Sequence, residues 1–322
     1  VAIKNWEGEM KMKQIDGKDT KNIHFSWNSS NNPVLYMDSG ETVSISVPDS
    51  STWQIKREYK TDDLRRIDSS RYDGAVGPIY VNGAMPGDTL EIDLKEIKTA
   101  PWGWSAIIPE MGLLKDDFSE KLVIWKLDKF ATTETQGFLE GISVPIRPFL
   151  GVVGTAPKEG KFGMIPPQYF GGNMDNRLLG VGSRIYLPVN VEGALLSVSD
   201  PHASQGDGEV CGTAIETSAE VVLGIHLIKG HSINYPRAYS KVSSSGDFSV
   251  TMGISGDLKD ASRLALLNMI DELSHFGLTG EEAYVLCSVC GNLSISEIVD
   301  EPNYVVSMSI PLQILKDRNF SP

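Results

Sequence analysis

Short segments that alternate polar and apolar residues recur through this chain, each bounded by turn-forming residues. Glu41-Thr42-Val43-Ser44-Ile45-Ser46-Val47 follows the turn residues Asp38-Ser39-Gly40, and Thr89-Leu90-Glu91-Ile92-Asp93-Leu94 follows Asn82–Asp88. A period of two places Val43, Ile45 and Val47 on one face of a strand and the polar residues on the other. Frequent glycine (31) and scattered proline (17) favour a β-rich chain over a helical bundle. Val34–Met37, Pro78–Val81, Arg184–Val189 and Ala194–Ser199 also read as strands. Thr213 to Ile228 is apolar at alternate positions but too long for one regular strand, so a bend or bulge is expected in it.

Helical periodicity is confined to the C-terminal part. Asp260 is expected to cap a helix running to about Phe276, stopped by Gly277, and Thr279-Gly280-Glu281-Glu282 matches a capping box for a second helix ending near Gly291. Asn303 to Leu315 reads as a final strand. The expected fold is mainly β, of the α+β class, with sandwich-like lobes and a helical hairpin near the C-terminus. We expect a β-rich lobe over residues 1–150 and a second over 151–322 carrying the hairpin, the two lobes packing separately or as one integrated domain. Between them, about Gly151 to Gly182 is rich in glycine and proline, and a loop of this length in a compact protein often carries function.

Charge narrows the partners. With 42 acidic and 29 basic side chains the net charge is −13. Such a surface repels nucleic-acid phosphates and anionic lipid, so neither nucleic acid nor membrane is expected as a partner. The three cysteines do not form a disulfide framework and suit a reducing compartment. Cys287-Ser288-Val289-Cys290 has metal or redox spacing, but it falls on a predicted helix with no second pair nearby, so apolar packing is the simpler reading.

The densest polar constellation is Asp200-Pro201-His202-Ala203-Ser204-Gln205-Gly206-Asp207-Gly208-Glu209. Asp200 and His202 are two apart, so in an extended chain both side chains reach the same side and can share one metal ion. Pro201 is incompatible with an interior strand position, which predicts a strand end or edge. Gly206 and Gly208 let the backbone turn Asp207 and Glu209 back toward the same region, and Gln205 adds an amide that can orient a substrate. Asp207-Gly208 alone is also what a plain surface turn looks like. Glu216 points away from the apolar face of its strand and reads equally as a solvent-facing glutamate. Asp175 reads as an Asx turn, and His24 as a half-buried packing histidine or a ligand. His226, His231 and His275 have no local partner and read as structural.

Asp200 to Glu216 closely resembles the signature of the acetamidase/formamidase family. Gly77–Leu90, Gly171–Asp175, Tyr186–Val191 and Glu281–Leu286 resemble further motifs of that family in the same order, so the resemblance spans nearly the whole chain. It implies hydrolysis of short aliphatic amides to a carboxylic acid and ammonia, a cytoplasmic enzyme, a mostly β fold, bound zinc or calcium, and homodimers or larger oligomers. Asp175, Asp200, His202, Glu209 and Glu216 fall on motif positions, as do His24 and Trp27.

Amide hydrolysis needs an activated water, a polarised carbonyl and a protonated leaving amine, and a divalent metal supplies the first two. Asp200, His202 and Glu216 are the expected ligands, with Asp175 and His24 as additional ones. Glu209 is assigned as general base and then acid, and Asp207 as the acceptor that orients His202. Mixed histidine and carboxylate ligands suit zinc, and a carboxylate-rich neighbouring site suits calcium in a structural role. Two other readings compete: a non-catalytic, metal-stabilised β protein that binds small molecules or proteins, and a metal hydrolase acting on another C–N bond.

Overall fold

The computed structural model describes residues 12–115, 117–241 and 246–316. Two large sheets, of nine and eleven strands, face each other. Their facing sides are the apolar halves of the alternating segments: Val43, Ile45, Leu90, Ile92, Val221 and Leu223 from the nine-stranded sheet meet Val76, Ile79, Leu150, Val153, Leu196 and Val198 from the other. All of these side chains are essentially inaccessible to solvent, and their burial is the main stabilising contribution to the sandwich.

Strands from both halves of the sequence alternate within each sheet. Thr42–Val47 and Thr89–Thr99 flank Ala219–Ile228 in the nine-stranded sheet, while Trp102–Ile107 lies beside Ile215–Glu216 in the other. The division at residue 150 therefore separates neither sheet. The long run from Thr213 breaks as its length requires. Ile215–Glu216 belongs to one sheet and Ala219–Ile228 to the other, with a further register shift at Val222/Leu223.

The helical hairpin covers the outer face of the nine-stranded sheet. Helix α1 (Leu258–Ser274) begins slightly before the position expected from sequence, because Asp257 rather than Asp260 caps it, accepting from the backbone N–H groups of Lys259 and Asp260. Ala261, Ala265, Met269 and Leu273 form its buried stripe at four-residue spacing. Gly253 lets α1 lie close to the sheet, since a Cβ there would stand 2.0 Å from the Ala261 carbonyl oxygen. Helix α2 (Gly280–Cys290) has the expected capping box between Thr279 and Glu282. The final strand is Tyr304–Pro311, and the residues after it, Leu312–Leu315, close as a 3-10 turn. This strand is covered on both sides: Val305 faces the inter-sheet core, and Val306 and Met308 face the helices. Its edge neighbour, Asn292–Glu297, is a short alternating strand that exposes its apolar Leu293 and Ile295. Cys287 and Cys290 are free thiols on α2, packed as part of the helix cluster. No described helix is long and apolar enough to cross a membrane.

Candidate metal centre

Asp200, Pro201 and His202 lie inside the nine-residue strand Leu196–Ser204, between Phe149–Gly154 and Ile215–Glu216. The expectation of a strand end or edge is thus corrected. The ladder is paired at Val152–Ser199 and Leu150–Pro201 but not at Gly151–Asp200 between them. There the Gly151 carbonyl oxygen accepts from Met174 N at 2.9 Å and Asp175 N at 3.3 Å, and Asp200 N donates to Pro48 O at 3.1 Å. This local interruption is where a proline is tolerated in a sheet interior. It also brings Asp175 onto Asp200.

His202 is the hub. Its Nε2 lies 2.7 Å from Asp200 Oδ2, 3.1 Å from Glu216 Oε2 and 3.7 Å from Asp175 Oδ1. Glu216 stands directly opposite His202 in the strand register, so it is buried beside the imidazole and is not a solvent-facing residue. On the other side of the ring, His202 Nδ1 is 2.8 Å from Gln205 Oε1. The Gln205 amide nitrogen donates to the backbone oxygens of Asp175 at 2.7 Å and Ser296 at 3.3 Å. Its oxygen therefore faces the ring, and because a carbonyl oxygen only accepts, Nδ1 carries the hydrogen. In the neutral imidazole this leaves the Nε2 lone pair aimed at the three carboxylates, as a metal-binding histidine requires.

Asp207 does not orient His202. It is half-exposed and makes a two-pronged ion pair with Arg177, at 2.6 and 2.8 Å, so Gln205 takes the role assigned to it. The backbone turns at Gly208, with φ of 92°, so that Glu209 enters the site while Asp207 remains outside. His24 is also separate. Its Nε2 is 2.8 Å from Ser197 Oγ, its ring stands edge-on to Trp27, and it joins none of the clustered ligand groups. Burial lowers its pKa from 6.5 to about 4. The unfolded chain then takes up a proton between these values that the folded protein refuses. Stability is expected to fall as pH falls through that window, by about 3 kcal/mol once His24 is charged in the unfolded state and neutral in the folded one. Chemical denaturation on either side of the window checks this, because His24→Gln should flatten the dependence. An unchanged pH slope in that variant would discard the assignment.

Several acids that no local pattern marks stand at the same centre. Asp73, Asp300, Glu297 and Asp49 are buried near Asp175, Asp200, Glu209 and Glu216. Asp300 accepts from Asn173 Nδ2 at 2.8 Å and shares a cluster with Asp175 and Glu209. Among the described residues no lysine or arginine pairs with any of these carboxylates. Burial, reinforced by neighbouring carboxylates, raises the pKa of Asp73, Asp200, Glu209 and Asp300 well above the ordinary range, and it pushes Glu297 up to about 8. Burial alone would lower the pKa of His202, but Asp200 and Glu216 outweigh it and raise the value well above 6.5. For Glu216, burial opposes ionisation, yet His202 and the Ala214 N–H prevail and hold it at about 2.

Three carboxylate oxygens at this centre, Asp175 Oδ1, Asp200 Oδ1 and Glu216 Oε2, are buried with no hydrogen-bond partner. Such groups are costly unless something compensates them. Asp175, Asp200 and Glu209 also hold left-handed backbone conformations, with φ of 39°, 56° and 46°. Backbone held there in residues other than glycine is characteristic of functional sites. Gly151 keeps the centre open: a Cβ would stand 2.4 Å from Asp175 Oδ1 and 2.7 Å from Asp200 Oδ2. Gly151→Ala is expected to destabilise the protein by about 1–3 kcal/mol. A parent melting temperature would refute this. The centre adjoins a cavity of about 30 Å3 with Trp104, Ile108, Met111 and Ile165 on its apolar walls. That volume holds a guest of only a few heavy atoms.

The chain matches the Acetamidase/Formamidase family over residues 9–161 and 159–317. It is 28% identical to a formamidase of Methylophilus methylotrophus, over 91% of this chain and 89% of that one. It is 29% identical to an acetamidase of Mycolicibacterium smegmatis, over 72% of this chain and 77% of the relative. The crystal structure of an acetamidase from Bacillus halodurans superposes with a TM-score of 0.86 at 29% identity, covering 95% of this chain and 99% of that one.

Proposed function

We propose, since this chain belongs to the acetamidase/formamidase family, that its buried carboxylate centre holds a divalent cation and uses it to hydrolyse short aliphatic amides. The chain is an amidohydrolase: it converts a linear amide to a carboxylate and ammonia. The metal reading rests on the buried carboxylates of Asp175, Asp200 and Glu216 gathered around His202 Nε2, with no lysine or arginine paired to them among the described residues. Their donor set fits a cation such as zinc. The oxygen-only group of Asp175, Glu209 and Asp300 suits a harder cation such as calcium. A divalent cation at this centre supplies Lewis acidity for the amide carbonyl and makes a water more acidic.

The protein's own groups do the rest. Gln205 fixes the imidazole tautomer and ring orientation through Nδ1, acting as a positioning residue and not as a substrate contact. Glu209 faces the cavity, is more accessible than Asp175, Asp200, His202 or Glu216, and has a raised pKa that suits it to hold a proton. It takes a proton from the attacking water and delivers it to the departing nitrogen. The apolar walls exclude bulk water and limit the acyl group to a short one.

Ammonia release from formamide, acetamide and propionamide, measured before and after chelation, tests this reading. Activity is expected to vanish with the cation and return when zinc is restored. A protein shown metal-free by elemental analysis that still hydrolyses at the parent rate would sink it. Lactams and urea in the same panel separate linear amides from other C–N bonds. We also propose a cytoplasmic location, supported by three free cysteines, and a homodimer or larger assembly. Tyr284, Val285 and Val289 on α2 and Leu293 on the edge strand are exposed apolar residues that support self-association.

A further inference from the structure

A second cavity, of about 510 Å3, lies on the outer face of the nine-stranded sheet beside the C-terminal end of α1. It is separate from the metal centre. Along Arg184–Pro188, Ile185 and Leu187 point into the inter-sheet core, so Arg184 and Tyr186 point the opposite way, to the outside. The volume falls in the range of ordinary small-molecule sites.

Its walls combine apolar surface with basic side chains, one of which, Arg184, has no ion-pair partner among the described residues. The Tyr186 and Tyr239 rings pack edge to face, 5.5 Å apart, with Ile233 also on the wall. The Arg184 guanidinium lies over the Tyr239 ring, 5.3 Å from its centroid, and among the described residues no carboxylate pairs with it. The imidazoles of His231 and His275 stand 5.6 Å apart on the same cavity, and among the described residues neither faces a carboxylate within ion-pair distance. The two acids of the wall are already engaged. Glu272 accepts from Arg237 at 2.9 Å and from the Tyr239 hydroxyl at 2.8 Å, and Glu91 is hydrogen-bonded to Tyr186. In a chain of net charge −13, a roomy site with an unpaired guanidinium and two imidazoles runs against the general field.

We propose that this cavity binds an aryl carboxylate, with Arg184 gripping the carboxylate and the tyrosine rings and Ile233 holding the aromatic body. The guanidinium lies over the Tyr239 ring, and its planar fork matches a carboxylate. A neutral ligand of the same shape would leave the guanidinium unpaired, so the site selects charge as well as shape.

Benzoate is the probe, titrated into the intact protein by calorimetry, with benzyl alcohol as its neutral counterpart. Saturable benzoate binding is expected, with benzyl alcohol weaker by about tenfold or more. Arg184→Gln should weaken benzoate by a similar factor, while acetamide hydrolysis stays at the parent rate. Arg184 is on the surface, so its replacement leaves the core intact. The proposal is overturned if benzoate does not bind saturably, if Arg184→Gln binds it as the parent does, or if acetamide displaces it in simple competition, which would put it at the metal centre.

Discussion

His202→Ala is expected to lose both the bound cation and amide hydrolysis. Among the described residues His202 is the only imidazole grouped with Asp175, Asp200, Glu209 and Glu216, and its Nε2 lies within 3.7 Å of three of them. Removing the nitrogen takes away the donor that distinguishes this group from a purely oxygen-lined pocket. The loss in activity should exceed the roughly 10–100-fold that follows when a residue merely supporting a metal ligand is removed. Gln205→Ala should fall inside that smaller range, since Gln205 acts only through the ring. Elemental analysis of the purified variants, set beside ammonia release from acetamide, separates the two effects. Parent cation content in His202→Ala would remove His202 from the ligand set. His202 is fully buried with its ring edge-on to Phe149, so circular dichroism and melting temperature of the variant are compared with the parent's before the losses are assigned to the cation.

Glu209→Gln should lower kcat by about 10²–10⁴-fold while leaving the cation in place. Glutamine keeps the shape and the backbone turn but can neither accept nor release the proton. Glu209 is well placed to carry that proton, because it lines the cavity and because burial, reinforced by Asp175, raises its proton affinity. KM should change far less than kcat, as for a group needed only in the transition state. Parent kcat would show that Glu209 is not the proton carrier. Loss of the cation would instead make it a ligand, a role its closeness to both His202 and Asp300 would then explain.

Local pattern is most informative at Thr42–Val47 and Thr89–Thr99, where alternation alone identifies the strands and their buried faces. The capping box at Thr279 is legible for the same reason: its partners are three residues apart. Asn292–Glu297 alternates too, but Leu293 and Ile295 are exposed and Ser296 is buried, so alternation there points to the wrong face. Pro201 misleads because the rule against proline assumes an intact ladder, and the ladder is interrupted at the neighbouring pair, Gly151 and Asp200. Asp207 misleads because nearness in sequence does not fix direction. Asp207 pairs with Arg177, and the turn at Gly208 carries Glu209 inward.

The sequence by itself determined the β character of the chain, the positions of both helices and the pairing of Asp200 with His202, since each depends on contacts between residues close in sequence. The resemblance of its motifs supplied the reaction class. Only the tertiary structure decided which acids gather there. Asp175, Glu216 and Asp300 come from separate segments, and Glu216 reaches His202 through cross-strand register. Asp300 sits in a loop whose sequence carries no pattern, brought in by the strands on either side of it. The composition of the centre is therefore a property of the sheet pairing, and the unpaired carboxylate oxygens that point to a cation arise only once those strands close around it.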